Sequence, residues 1–460
     1  MKKIVYFLCS TLLLLGIAQA VTGCKKFTPF SLDHLSFSKD TVVFDTVFTT
    51  IGSTTQQFKI YNPSNKSVKI EQIELMGGAN SPFRINIDGI KGTSLEAMVI
   101  EGKDSLFGFV EVTLSINNQN LPMIVEDSIR FRTNGKDQYV KLAVWGQDAY
   151  FHYKDLNEGV WPNDKPHVIY GYAAVDSAKS LTLQAGTNVY LHKNALLYVY
   201  KGALQVQGTL HHEVVFQGDR LEANYDKVSG QYYGIYFHEA LPSTINYAII
   251  KNGTSGVHLY HEDPSNMGYT LQLTNTRIFN MSRYGVFIYS GAKVRAENCL
   301  ISQNETHALL VLEGGDFNFN HCNLLGYGAA KGPAVGISNY YSNPFTGTTN
   351  VGSIHEGTLT NCVLYGTTDF NLALDTLSMN GVTLHFQFSN CLIRSDSVFN
   401  EPYYSNVLWN QNPLFNDVTQ GDFLFSPNSP LNGNGMNTGV GLDILGNPRQ
   451  NPPDIGAVEL

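Results

Sequence analysis

The chain alternates apolar and polar residues in runs too short for helices. A recurring phrase has a small residue, an aliphatic, a spacer and another apolar residue. It reads Gly234-Ile235-Tyr236-Phe237, Gly256-Val257-His258-Leu259, Gly285-Val286-Phe287-Ile288, Ala308-Leu309-Leu310-Val311 and Asn371-Leu372-Ala373-Leu374. Period-two alternation over so few residues predicts strands. A second phrase opens on Asn and closes on an aliphatic three residues later. It begins at Asn246, Asn275, Asn298, Asn361 and Asn390, with His321 taking the place once. Its starts are separated by 29, 23, 23, 40 and 29 residues, a base of 23 with insertions. Spacing of that kind marks a repeat architecture.

The repeats lack a helical segment, which excludes leucine-rich and ankyrin arrays, and they are too short for propeller blades. A right-handed parallel β-helix fits, with one coil per repeat stacked at about 4.8 Å. Equivalent residues then pile on one another. The Asn side chains form a hydrogen-bonded structural ladder, and Cys299, Cys322, Cys362 and Cys391 form a column beside it. Small buried hydrophobes are the expected role of these thiols. Disulfides between adjacent coils stay open on geometry. No Cys pair has zinc-ligand spacing, so no metal site is expected.

The expected fold is all-β: an N-terminal immunoglobulin-like β-sandwich followed by the solenoid. Residues 33–150 carry strand-like runs at Thr41–Phe44, Gln56–Tyr61, Val68–Leu75, Phe83–Ile87, Leu106–Leu114, Asp127–Arg132 and Tyr139–Trp145, separated by turn signals. Residues 151–166 read as a linker, 167–410 as the β-helix and 411–460 as a C-terminal coil and cap that covers the last open edge. Roughly ten coils give a rod on the order of 50 Å.

At the N-terminus Lys2 and Lys3 precede an apolar stretch from Ile4 to Ile17, the pattern of a signal peptide over residues 1–23. That stretch is too short for a good membrane span. Val21-Thr22-Gly23-Cys24 resembles a bacterial lipobox. The resemblance implies cleavage before Cys24, its acylation, a tether over 24–32, and an outer-membrane lipoprotein facing either the periplasm or the cell surface. The phrases Ile60-Tyr61-Asn62-Pro63 and Phe83-Arg84-Ile85 resemble immunoglobulin-like domains of the major-sperm-protein type. The tail phrases Asp443-Ile444-Leu445-Gly446-Asn447-Pro448-Arg449 and Asp454-Ile455-Gly456-Ala457-Val458-Glu459 resemble the end of a bacterial family of parallel β-helix proteins related in shape to pectate lyases. Residues 208–253 resemble surface lipoproteins of the Bacteroidetes type.

Composition narrows the partners. Hydrophobic residues make up 43% and charged residues 15% of 460, and the net charge of −9 argues against nucleic acid. The insertions fall at one phase, after the Gly-aliphatic strand and before the Asn strand, so they project from one face. That face gathers Tyr260, His261, Glu262, Asp263, Tyr340, Tyr341, Phe345, His355 and Asp375 as candidate glycan-binding residues. Plain loops with solvated tips are the competing account.

The Asp-Asp, Gly-His-Gly and Arg-x-Lys phrases of polygalacturonase-type hydrolases are missing. A lyase would need a base, for which Lys251, Arg277, Arg283 and Lys293 are candidates, and clustered acids to hold Ca²⁺, of which Glu262-Asp263 is the nearest approach. His258, His261 and Glu262 hint at a metal, but strand spacing sends residues three apart to opposite faces. Asp219, Arg220 and Glu222 read as a self-paired corner. The leading expectation is a non-catalytic, lipid-anchored protein that binds or presents a polysaccharide or other envelope glycan. The alternatives are a lyase or hydrolase working in the inserted-loop groove, with Ca²⁺ as cofactor only for a lyase, and a structural or adhesive stalk. Protein partners are not specified by the sequence.

Overall fold

The computed structural model describes residues 30–116, 123–262, 268–328 and 332–460. Cys24 and Asp263 lie outside the described residues. The chain forms two compact units, the first ending at Gln147 and the second running Asp148–Leu460.

The first unit is a two-sheet β-sandwich. Ser36–Phe37, Gln56–Tyr61, Ser105–Val112, Phe83–Ile87 and Ile90–Lys91 form one sheet. Thr41–Phe48, Lys136–Gln147, Met123–Thr133, Val68–Leu75 and Ser94–Ile100 form the other. Alternate residues point inward, so Phe44, Phe58, Phe83, Phe131, Ile70 and Val110 fill the space between. Ser94–Ile100 escapes sequence reading because its alternation is broken by Ala97, which has a left-handed φ of 57°.

The second unit is a parallel β-helix whose coils contribute to three sheets. Sheet I contains Leu196–Tyr200, Gly234–His238, Ser255–Tyr260, Tyr284–Tyr289, His307–Leu312, Val335–Ser338 and Leu372–Asp375. Sheet II contains the strands from Gly159–Trp161 to Tyr404–Ser405. Sheet III contains the Asn-phrase strands, among them Ala248–Lys251, Leu300–Ser302 and Val363–Gly366. Each strand pairs in parallel with its counterpart one coil on, and inward residues such as Ile235, Phe237, Ile245, Ile250, Val257 and Phe319 form one continuous core.

Residues 151–166, expected as a linker, are the first coil. Tyr150–Leu156 pairs in parallel with His167–Val175, and Gly159–Trp161 pairs with Ser180–Gln184. The turn residues that suggested a linker belong to the corners of that coil.

The corner between sheets II and III explains the Asn phrase. Asn275, Asn298, His321, Asn361 and Asn390 all have left-handed φ between 50° and 52°, a conformation Asn tolerates better than most residues. Asn246 is a register correction. It pairs with Thr274, and Tyr247, with φ 45°, holds the corner instead. Asn246 still joins the ladder, because Asn275 Nδ2 donates to its Oδ1 at 3.1 Å and Asn298 Nδ2 donates to Asn275 Oδ1 at 3.2 Å. Farther on, Asn361 Nδ2 donates to His321 Nε2 at 2.9 Å. The neighbouring column is Cys299, Cys322, Cys362 and Cys391, all buried free thiols that donate to backbone carbonyls, as Cys362 does to Thr360 at 3.2 Å. Burial pushes the thiols of Cys299, Cys322 and Cys362 well above their usual range.

The tail runs along the flank of the coils, which corrects the expectation of a cap over the last one. Phe423, Phe425, Leu431, Ile444, Ile455 and Val458 pack on the outward side chains of Leu325, Val363 and Leu392 in sheet III. The ladder supplies the polar half of this contact. Asn298 Nδ2 donates to Leu442 O at 2.8 Å, Asn361 Nδ2 to Met436 O at 2.8 Å, and Asn390 Nδ2 to Asn434 O at 3.1 Å. Arg449 reaches Asn298 Oδ1 at 2.8 Å and Glu459 at 3.1 Å, and both ionised side chains are only 2% and 1% exposed.

Two predictions follow from this packing. Arg449→Met leaves Glu459 buried without its cation and is expected to cost about 3–5 kcal/mol, measured by urea unfolding. The second concerns acid. Burial lowers His167 and His258 to about 4 and His321 to about 3, whereas the unfolded chain protonates near the ordinary value of 6.5. The unfolded state therefore takes up protons that the folded state refuses, and stability falls as pH drops from about 6.5 toward 4. Thermal melts across that range should show the midpoint falling, with His258→Phe reducing the slope.

Candidate functional site

The insertions build a cleft at the corner between sheets I and II. Tyr260 and Tyr289 end adjacent sheet I strands, and Lys293 and Asp316 open the sheet II strands that follow. The corner between Leu312 and Asp316 is tight: Glu313, Gly314 and Gly315 have φ of 62°, 81° and 122°. A hairpin, Tyr340–Ser342 against Thr349–Val351, forms one wall. Its base approaches so closely that a Cβ on Gly352 would lie 2.3 Å from Glu313 O. The open recess is about 560 Å³ and is lined by Tyr260, Glu262, Tyr289, Lys293, Glu313, Asp316 and His355, together with the hairpin base.

Carboxylates dominate the charge. Asp316 is buried, and its Oδ1 accepts the backbone N–H groups of His355 at 2.8 Å and Glu356 at 3.2 Å. Lys293 Nζ stands 3.8 Å from Asp316 Oδ2, and His355 Nδ1 stands 3.7 Å from Oδ1. Ser290 Oγ donates to Glu313 at 3.3 Å. Burial and a hydrogen bond with Glu313 push the Tyr289 phenol up to about 12. Burial, then Glu262, Glu239 and Glu313, raise Tyr260 as well. Such a site can bind hydroxyl-rich or cationic ligands through carboxylates and phenols, and it can present carboxylates to a reacting bond.

Of the sequence candidates, the cleft gathers Tyr260, Glu262 and His355. His261 is buried and does not line it. Tyr340 donates to Asp375 at 2.8 Å on the hairpin side, while Phe345 is 96% exposed. Tyr341 is a half-buried hairpin residue. Sequence reasoning missed Tyr289, Glu313 and Asp316. The available signal was Glu313-Gly314-Gly315-Asp316, two carboxylates flanking a Gly pair at the phase of the insertions. Among the candidate bases, only Lys293 reaches the cleft. Lys251 pairs with Asp226 at 2.8 Å, and Arg277 lines a separate groove of about 320 Å³ beside the tail. Arg220 pairs with Glu222 at 2.9 Å, as expected of a self-paired corner, whereas Asp219 pairs with His192 at 2.7 Å.

Sheet I carries a second feature beside the cleft. The spacer residues of the Gly phrase, Tyr236, His258 and Phe287, face outward and continue a column from Tyr198. Ring centroids lie 4.5 Å apart for Tyr236–His258 and 4.6 Å for His258–Phe287, at 19° and 21° between planes. The faces are thus occupied by neighbouring rings, and edges meet solvent. This column stabilises coil stacking and does not offer the flat open faces on which a sugar stacks. Among the described residues no cluster of three His, Cys, Asp or Glu could hold a metal ion, and no helix is long and apolar enough to cross a membrane.

Residues 176–324 match the family described as the right-handed β-helix region. The fold is therefore all-β with a right-handed parallel β-helix. No curated protein matches the chain. Among solved structures, the chain is similar to the catalytic unit of a thermostable GH87 α-1,3-glucanase from Streptomyces thermodiastaticus strain HF3-3, at 10% identity and TM-score 0.22, over 77% of this chain and 89% of that one. It is similar to a family 123 glycoside hydrolase from Clostridium perfringens at 8% identity and TM-score 0.19, over 26% of this chain and 30% of that one, so it spans under a third of that enzyme's length. It is also similar to PapD-like domain 7 of human CEP192 at 10% identity and TM-score 0.17, over 27% of this chain and 91% of that one.

Gly315 offers a test of the corner. A Cβ there would lie 2.8 Å from both Ala292 O and Ile288 Cγ2, at a φ that L-residues rarely adopt. Gly315→Ala is expected to destabilise the β-helix by about 1–3 kcal/mol in denaturant unfolding.

Proposed function

We propose that this protein binds or presents a glycan in the corner cleft of its β-helix, as a lipoprotein anchored through Cys24 at the outer membrane of a bacterial envelope. The N-terminal sandwich, read as an immunoglobulin-like module, serves as a spacer. The observation that carries the glycan reading is the cleft itself: a polar recess of about 560 Å³ that joins two strand-end tyrosines to three carboxylates on a rigid solenoid. Tyrosines supply ring surface, and carboxylates accept hydrogen bonds from sugar hydroxyls.

The same carboxylates favour glycoside hydrolysis as the second reading, with Glu313 and Asp316 as its candidate pair. A uronate lyase has weaker support, because the cleft's Lys293 already faces Asp316 at 3.8 Å.

Calorimetric titration of the full-length chain in detergent with neutral and charged oligosaccharides tests this proposal. Binding of at least one class is expected, with Tyr289→Ala weakening it about tenfold or more. New reducing ends that vanish in Asp316→Asn would replace the binding reading with the hydrolase one. Silence in both assays would leave a structural stalk as the better account.

A further inference from the structure

We propose that the cleft selects glycans bearing free amino groups over uncharged or uronate-bearing glycans of the same length. This inference rests on the glycan reading and specifies the ligand class of the same site.

The argument is a charge inventory. Glu262, Glu313 and Asp316 line the cleft, against Lys293 and His355. The Lys293 ammonium and the His355 imidazole both approach Asp316, at 3.8 and 3.7 Å. Glu239, near Tyr260, is compensated by Lys201 at 2.8 Å. Among the described residues Glu262 and Glu313 have no cationic partner within ion-pair distance. The cleft therefore holds two uncompensated carboxylates, from corners two coils apart. Glu262 is exposed at the rim, and Glu313 is half-buried deeper in.

Two side chains sense the resulting field. Tyr260 and Tyr289 line the same recess, and carboxylates add to burial in raising both phenols. A recess with protein walls screens charge less than open solvent does. An ammonium group there gains Coulomb attraction and donates up to three hydrogen bonds to carboxylate oxygens. A uronate carboxylate meets like charge instead. The volume of about 560 Å³ exceeds what a lone cation needs, and the ring surfaces suit a sugar unit carrying the amine.

The test titrates full-length protein in detergent with glucosamine, N-acetylglucosamine and galacturonate oligomers of equal length, at low and high salt. Glucosamine oligomers are expected to bind about tenfold or more tightly than the N-acetylated ones at low ionic strength, with the advantage shrinking in high salt. Glu262→Gln, at an exposed position, should erase several-fold of that advantage, weakening glucosamine oligomers more than N-acetylglucosamine oligomers. Glu313→Gln should do the same, with its melting temperature measured alongside. Equal affinity for the amine and its N-acetyl form, or tighter galacturonate binding, overturns this selectivity and leaves the glycan reading standing. Failure of every oligomer to bind overturns both.

Discussion

Parallel pairing of each coil with the next, residue upon equivalent residue, is the constraint on which the second unit depends. Leu204 stacks on Leu181, Val257 on Ile235 and Phe319 on Ala296 because the backbone ladder allows only that register. A slip of one residue would turn every inward side chain outward. Once register is fixed, like side chains become neighbours. The core, the thiol column, the outward aromatic column and the corner amides are all consequences of that single arrangement.

The corner amides show how one position meets two demands. Left-handed backbone is needed where sheet II turns into sheet III, and Asn tolerates it. The same amides then have donors and acceptors to satisfy. Asn361 gives one to His321 and pairs both ways with the backbone of Met436, so the tail completes what the ladder leaves over. His321 accepts from Asn361 as a neutral ring, which fits a pKa lowered first by burial and then by nearby Arg449. The two charged tail phrases are thereby explained as parts of a buried polar network on this flank.

The solenoid was legible because its columns repeat in sequence. Strand periodicity located Gly234–His238 and Tyr284–Tyr289, and the Asn phrase located the corner to within one residue, failing at Asn246, where Tyr247 takes the turn. The first coil was hidden, because Gly159, Pro162 and Asn163 look alike at a coil corner and in a linker. The tail's course was hidden too: contacts such as Arg449 with Asn298 join residues far apart in sequence and follow no period. For the site, the phase of the insertions pointed to the corner where the cleft lies, and Tyr260, Glu262 and His355 line it. Tyr289, Glu313 and Asp316 were missed because they belong to the two shortest repeats, which carry no insertion to draw notice. They join the cleft only because the next coil's hairpin folds back beside them.

The 40-residue step from His321 to Asn361 has a consequence for how such a molecule can diversify. Most of its extra residues leave at one corner as the hairpin and the chain returns in register, so Phe317 pairs with Gly357 and Phe319 with Leu359 as though nothing had intervened. Length variation at that corner is invisible to the stacked columns. The residues that hold the rod together and many of those that shape the recess are therefore different sets. A lineage can exchange hairpins to reshape the recess while inheriting the scaffold intact.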